Sequence, residues 1–173
     1  MNSALLLTLV AAPGLAVGDS VAAFEPYWVT GEYEGTNQCP VCEYTIKPMV
    51  YIWTHGKGPA NLGEIVRTID KVDSAQEPDA LRSFLVDANL ENDDKASVSR
   101  LTGWAKEWKA ESVWLLSRPT KLKVCLKNYK LESAKGWNSV VYFVKGRKVQ
   151  EVFIDPSNED LPKLEAAAKK LLK

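Results

Sequence analysis

Residues 38–55 of the chain, QCPVCEYTIKPMVYIWTH, join a pair of cysteines to the segment with the strongest strand pattern. The run from Pro48 to Thr54 consists almost entirely of apolar, β-branched and aromatic residues, which is typical of a central strand buried on both faces. The proline ahead of the run favours a strand start over a helix. Residues 55–59 (HGKGP) predict a loop after it. The stretch therefore predicts a buried central strand, with Cys39 and Cys42 just before it.

The length and composition predict one globular domain. The chain has 173 residues, of which 46% are hydrophobic, so it can bury a sizeable core. Its 22 basic and 22 acidic residues balance, and the sequence contains no basic block. Binding to nucleic acid or to an anionic membrane surface needs a cluster of positive charge. We therefore expect neither of these partners.

The N-terminus resembles an export signal. A short apolar run from Leu5 to Ala12 is followed by small residues at the −3 and −1 positions of a cut after Ala16, which predicts a signal peptide over residues 1–16 and a secreted or periplasmic protein. The run is too short to span a bilayer, so we expect no integral membrane segment after processing. The alternative is a buried N-terminal segment of the folded domain. In an exported protein, neighbouring cysteines favour an oxidised pair and leave Cys125 over.

The remaining chain alternates between strand and helix patterns. Asn61 is expected to open a helix, with its side chain and Glu64 forming a capping box. Alternation followed by a β-hairpin predicts an α/β fold in which a mixed sheet has helices on both faces. The other predicted elements are one or two short strands in 17–31, a strand at 84–86, a helix at 93–109, a strand at 113–116, a short helix or turn at 121–131, a hairpin at 140–154 and a helix from 158.

The element order, the Cys39-Pro40-Val41-Cys42 motif and the terminal hairpin and helix resemble the thioredoxin-like superfamily. The similarity is greatest to its redoxin branch, which contains peroxiredoxin-like and membrane-facing thiol–disulfide proteins. Residues 17–24 (VGDSVAAF) are similar to the redoxin opening, and residues 136–143 (GWNSVVYF) to the segment that holds the cis-proline and the start of the hairpin. The resemblance implies a thioredoxin-like domain over residues 47–173, preceded by an N-terminal β extension over residues 17–46 that carries the cysteine pair.

Two features depart from that family. Its Cys-x-x-Cys follows the first central strand and starts a helix, where the thiolate is stabilised. Here the pair precedes the strand, so we expect no helix start at the cysteines, and residues 54–59 contain no cysteine. Asn138 stands where the family has its cis-proline. Because a cis bond before a residue other than proline costs about 3 kcal/mol, we expect a trans bond and an altered substrate-docking edge.

The favoured function is thiol–disulfide exchange with a protein thiol or disulfide as partner. Cys39 is the candidate nucleophile and Cys42 the resolving thiol, since their spacing lets one attack a mixed disulfide formed by the other. His55, after the central strand, is a candidate acid or base. Trp137 and Asn138 lie beside the expected substrate edge and are candidates for substrate contact. We expect no cofactor and no metal at this site.

Two alternatives stay open at this point. In the first, Cys39 and Cys42 form a structural disulfide in a redox-inactive binding or scaffold domain. In the second, Cys39, Cys42, Cys125 and His55 form a tetrahedral zinc site, although only the first pair has ligand spacing. Cys125 itself is most simply a small buried core residue, and its functional alternative is a second resolving thiol. The sequence indicates neither the substrate nor the oligomeric state.

Overall fold

A computed structural model of the protein describes residues 12–78, 80–91, 93–132 and 136–173. Within these residues, six strands form one sheet in the order β1-β4-β3-β2-β5-β6. The strands are β1 (Pro26–Trp28), β2 (Met49–Thr54), β3 (Arg82–Asp87), β4 (Val113–Pro119), β5 (Ser139–Lys145) and β6 (Lys148–Ile154). The helices are α1 (Pro40–Glu43), α2 (Leu62–Ser74), α3 (Asp94–Trp108), α4 (Leu122–Asn128) and α5 (Leu161–Leu171), the last preceded by a 3₁₀ turn (Asn158–Asp160).

The β2 strand is the centre of the sheet. It pairs parallel with β3 and antiparallel with β5. Met49, Tyr51 and Trp53 point to one face and Val50 and Ile52 to the other, and all five side chains are fully buried. This alternation between two apolar cores is what a strand buried on both faces requires. The predicted central strand is confirmed.

Two helical layers cover the sheet. The α2, α3 and α5 helices pack with Val50 and Ile52 on one face. The opposite face carries α1, α4 and the segment before β1, whose Phe24 and Leu15 share a core with Trp53. The mixed sheet with helices on both faces is therefore confirmed. Residues 17–46, which we assigned to an extension, supply the edge strand β1, which pairs antiparallel with β4.

The short elements also agree with the sequence patterns. The ambiguous segment 121–131 contains the helix α4, whose Cys125 and Leu126 are buried. The predicted hairpin is β5–β6, and its turn places Gly146 and Arg147 in the left-handed region, at φ of 57° and 63°. Positive φ at both central positions is the requirement of a tight hairpin turn.

The capping box predicted at Asn61 is wrong. The α2 helix does follow Asn61, but the Asn61 side chain caps no backbone N–H. Its Nδ2 instead donates a hydrogen bond to the Pro156 carbonyl, 2.8 Å away, and so ties the start of α2 to the segment after β6. A capping box is present before α5, where Ser157 and Asp160 exchange hydrogen bonds. The Asn61 side chain thus makes a long-range hydrogen bond as a donor and does not accept a local backbone N–H.

Most of the predicted signal peptide, residues 1–11, lies outside the described residues. The remainder packs onto the domain, since Leu15 is buried and its N–H donates to the Tyr142 hydroxyl, 3.0 Å away. Gly14 has φ of 95°, and a Cβ there would lie 2.5 Å from the Tyr142 oxygen, so only glycine fits. A cut after Ala16 would remove these contacts. None of the helices among the described residues is long and apolar enough to cross a membrane.

The Leu15 contact predicts a measurable contribution to stability. Replacing a buried leucine by alanine leaves a cavity, so Leu15→Ala in the full chain should lower the free energy of unfolding by about 2–4 kcal/mol in urea titrations. Val17, two residues on, is 64% exposed and provides the matched control. Val17→Ala should change the stability by less than about 0.5 kcal/mol. Equal effects of the two substitutions would contradict the packing of Leu15.

Candidate functional site

The two cysteines lie at the start of a single helical turn. Cys39 is the N-cap of α1, Pro40 occupies the first position, and the Cys42 N–H donates to the Cys39 sulfur over 3.2 Å. The sulfurs form a disulfide that joins Cα atoms 5.3 Å apart. The expectation that no helix starts at this pair is therefore wrong. Proline suits the first helical position because its fixed φ is already helical and its missing N–H would have no partner there.

The turn is anchored to the sheet from below. The indole Nε1 of Trp28, a fully buried residue of β1, donates to the Gln38 carbonyl over 2.8 Å. Val41, between the two cysteines, is buried in the same core, and the Tyr44 ring packs against Phe84 with centroids 5.9 Å apart. The backbone of the motif therefore sits on a rigid apolar base while its cysteines face outward.

Polar contacts fix the loop on both sides of the turn. Glu43 accepts hydrogen bonds from the Gln38 amide and, over 3.3 Å, from the Tyr33 hydroxyl. The Tyr44 hydroxyl donates to Glu32 over 2.8 Å. Gly31 has φ of 98°, and a side chain there would collide with the Trp114 ring. These contacts hold the cysteine turn in one position before any partner arrives.

All three cysteines line one pocket of about 170 Å³. They differ in access: Cys42 is exposed, Cys39 is half-buried and Cys125, on α4, is 4% exposed. The pocket opens beside the carboxyl end of β4, the side of an α/β sheet where ligands commonly bind. Its other lining residues are Ala23, Phe24, Glu25, Pro119, Thr120, Lys121, Val124 and Asn128.

The Cys125 thiol is free, and burial raises its pKa to about 12. At neutral pH almost none of it is thiolate, and the thiolate is the species that attacks a disulfide. Its position beside the pair meets one requirement of a second resolving thiol, but its ionisation opposes that role. The core interpretation of Cys125 fits the structure better.

His55 lies at another part of the same sheet edge. Its Nε2 is 2.9 Å from the Trp137 carbonyl, which can only accept, so Nε2 carries a proton. The two rings meet edge to face at 4.7 Å, and Trp137 is buried. Asn138 belongs to this group as well, because its carbonyl accepts from the Thr54 hydroxyl over 3.0 Å. The structure thus brings together three of the predicted site residues, His55, Trp137 and Asn138.

This group does not share the disulfide pocket. His55 follows β2 and the pocket adjoins the end of β4, and these strands are two places apart in the sheet. Two strand spacings amount to roughly 10 Å, and His55 is not among the residues that line the disulfide pocket. The assigned roles of His55, Trp137 and Asn138 stay predictions.

The zinc hypothesis is wrong. Among the described residues, which include all three cysteines and His55, no group of three or more His, Cys, Asp or Glu side chains could hold a metal ion. The physical reason is that the sulfurs of Cys39 and Cys42 bond to each other and the His55 ring pairs with Trp137. Tetrahedral zinc needs all its ligands within about 2.3 Å of one point.

Sequence analysis missed the residues that surround the disulfide. Lys121 is the N-cap of α4 and Val124 lies within that helix, about 80 residues after the cysteines in the chain. Nothing in the local pattern connects them with the pair. The predicted burial of Cys125 as a core residue is confirmed, and the face of α4 that carries it packs beneath the pocket.

Comparison with known proteins identifies the fold. No protein-family model matches the chain, and no curated protein does. Solved structures do match: a candidate thiol:disulfide interchange protein DsbE from Chlorobium tepidum has a TM-score of 0.68 at 10% identity, covering 92% of this chain and 99% of that one. The fold is thioredoxin-like.

Two further structures with this thioredoxin-like fold are similar. A thiol peroxidase from Chromobacterium violaceum has a TM-score of 0.63 at 14% identity and covers 94% of this chain and 89% of that one. A peroxiredoxin-like protein from Aquifex aeolicus has a TM-score of 0.60 at 12% identity, with 90% of each chain covered. These neighbours share the thioredoxin-like fold predicted from the sequence.

Two expected departures from the thioredoxin-like pattern are confirmed: the cysteine pair lies before the central strand, and the bond before Asn138 is trans. The Cys39–Cys42 pair precedes β2, and the loop after β2 holds His55 without a cysteine. The described residues contain no cis peptide bond, so the bond before Asn138 is trans. The cysteine pair of this chain therefore lies in the turn that precedes β2.

The raised pKa of Cys125 predicts selective alkylation. When the folded protein is reduced and treated with iodoacetamide at pH 8, Cys39 and Cys42 should react and Cys125 should not, because its thiol stays protonated until the pH approaches 12. Mass spectrometry of the peptides gives the modified positions. Unfolding in guanidinium should release Cys125 for reaction. Modification of Cys125 in the folded protein at the same rate as Cys42 would contradict its burial.

Proposed function

We propose that the protein carries out thiol–disulfide exchange through Cys39 and Cys42, with a protein thiol or disulfide as its partner. The observation that carries this proposal is an accessible disulfide, one sulfur of which accepts a backbone N–H at the start of a helical turn. A disulfide with one exposed cysteine, beside an open pocket, is within reach of another molecule. The names of the similar structures agree with this class of chemistry.

We propose different roles for the two sulfurs. The Cys39 sulfur accepts the N–H of Cys42 at the start of the helical turn, and this position supports Cys39 as the attacking thiol. In the reducing direction, the Cys39 thiolate attacks a partner disulfide, forms a mixed disulfide and releases one partner thiolate. The Cys42 thiolate then attacks the Cys39 sulfur and releases the second. Two electrons pass from the cysteine pair to the partner, and an external dithiol must reduce the pair again.

The alternative from another class is a redox-inactive binding or scaffold domain with a structural Cys39–Cys42 disulfide. One observation favours it: the loop after β2, where related proteins have their cysteines, has none here. Against it, the turn already has other anchors, namely the buried Val41 and the hydrogen bond from Trp28 to Gln38. A disulfide adds little to a turn that is fixed in this way.

Export remains part of the proposal. The apolar run before residue 13 and the oxidised pair support a periplasmic or extracellular location. N-terminal sequencing of the protein recovered from cells tests it, and recovery of an intact Met1 in the cytosolic fraction would contradict it. Because Leu15 is part of the core, that experiment also reports whether the cut spares residues 14 and 15.

The cysteine variants test the catalytic proposal. In reduction of insulin by dithiothreitol, Cys39→Ser should lower the rate to the uncatalysed level. Cys42→Ser should instead accumulate a mixed disulfide between Cys39 and the partner, because the resolving thiol is missing. The trapped species is measured on non-reducing gels. Cys125→Ser is the matched control and should keep the wild-type rate.

Equal insulin-reduction rates for wild type and Cys39→Ser would end the catalytic proposal and favour the scaffold. The same assay tests the predicted acid–base role of His55. A role in proton transfer requires that His55→Ala lower the rate by about tenfold or more, with the loss depending on pH. An unchanged rate would contradict that role and leave His55 as a partner of Trp137.

A further inference from the structure

The disulfide pocket is the smallest of three neighbouring hollows. A second, of about 650 Å³, lies beside α4, and a third, of about 730 Å³, lies between α3 and β1. Thr120 lines all three, Pro119 is shared by the first and third, and Lys121 and Val124 by the first and second. The hollows therefore form one continuous surface around the connection from β4 to α4. We call this surface, defined by Tyr27, Arg118, Thr120, Lys121 and Val124, the disulfide groove.

The groove exposes apolar side chains. Val124 is 57% exposed and Tyr27 is 37% exposed. They are two of the four large hydrophobic residues exposed among the described part of the chain, and both line the groove. Val124 also lines the pocket that holds the disulfide. An exposed apolar residue beside a reactive bond suits contact with an apolar side chain of a partner.

The groove also concentrates positive charge. Its basic side chains outnumber its acidic ones by four to two, although the whole chain is balanced at 22 of each. Both acidic groups face neighbours within the groove: Asp94 pairs with Arg118 at 3.2 Å, and Glu25 accepts from the Thr120 hydroxyl at 3.4 Å. Complementary charge steers partners and selects among them. The basic residues are Lys95, Arg118, Lys121 and Lys123.

We infer that the disulfide groove docks an extended segment of the partner protein. This segment has acidic and apolar side chains beside its own reacting cysteine. Three successive hollows suit a chain that runs along the surface, whereas a small thiol needs only the 170 Å³ pocket. The apolar side chain lies against Val124 and the acidic one reaches Lys121. This inference rests on the proposed function, because the docked segment presents its sulfur to the Cys39–Cys42 disulfide. It adds a choice of partner and no further chemical step.

The experiment compares a peptide with a small thiol. The oxidised full chain is mixed with a ten-residue peptide that carries one cysteine, aspartates and a leucine, with the same peptide bearing lysines for aspartates, or with 2-mercaptoethanol. Reduction of the disulfide is followed by stopped-flow tryptophan fluorescence. At low salt the acidic peptide should react about tenfold faster than the basic one, and the difference should shrink at 0.5 M salt.

Matched variants locate the effect in the groove. Lys121→Glu and Val124→Asp should each slow reaction with the acidic peptide about fivefold or more, since one reverses a complementary charge and the other removes an apolar contact. Ile46→Asp and Lys170→Glu make the same chemical changes at exposed residues outside the groove and should stay within about twofold of wild type. The rate with 2-mercaptoethanol should stay at the wild-type value in the two controls, and in Lys121→Glu and Val124→Asp it should fall clearly less than the rate with the acidic peptide, because the small thiol does not occupy the groove.

The outcomes separate the groove from the proposed function. The first outcome is exchange with 2-mercaptoethanol and with both peptides at rates that depend neither on peptide charge nor on the groove substitutions. This result overturns the docking inference, while the exchange function stands. Equal slowing of 2-mercaptoethanol by the groove variants also overturns it, because the substitutions then act on the disulfide itself. A disulfide that neither reagent reduces at neutral pH overturns both proposals together.

Discussion

The hydrogen bond from the Trp28 indole to the Gln38 carbonyl, with Val41 buried beside it, is the interaction on which the site depends. An edge strand, β1, holds the cysteine turn by this bond, and the turn lies against the aromatic face of the sheet. Without this anchor, the segment between β1 and β2 would be held to the sheet mainly by the packing of Tyr44 against Phe84. With it, the turn that carries the sulfurs lies against a buried aromatic core, and a supported backbone of this kind preorganises a site.

The fold could be predicted because its main signals are local. Residues 49–53 of β2 are all apolar, as a strand between two cores requires. The helices α2 and α4 bury apolar residues at helical spacing. The short α1 turn could not be predicted in this way, because four residues are too few to show a period. The Asn61 cap failed for a different reason: the side chain found a partner 95 residues away. Patterns of neighbouring residues cannot predict a partner so far away in the sequence.

The sequence predicts the cysteine pair of the candidate site but not the residues that surround it. The Cys-x-x-Cys spacing alone identifies the pair that forms the disulfide. The groove beside it is built from β1, α3, β4 and α4, so it exists only in the folded chain. The same applies to the group at the end of β2, where His55 pairs with Trp137 and not with a thiol. One edge of the sheet thus holds two separate sets of candidate residues, and the sulfurs belong to the set beside β4.

We propose that the Cys39–Cys42 disulfide exchanges with other molecules. The reduction potential of this disulfide tests the proposal most directly. Equilibration of the full chain against defined mixtures of reduced and oxidised dithiothreitol or glutathione gives that potential. A pair that works in exchange should lie between about −120 and −270 mV, the range of thiol–disulfide exchange proteins. A value below about −300 mV, the range of structural disulfides, would contradict the account and leave the pair as a fastening of the turn.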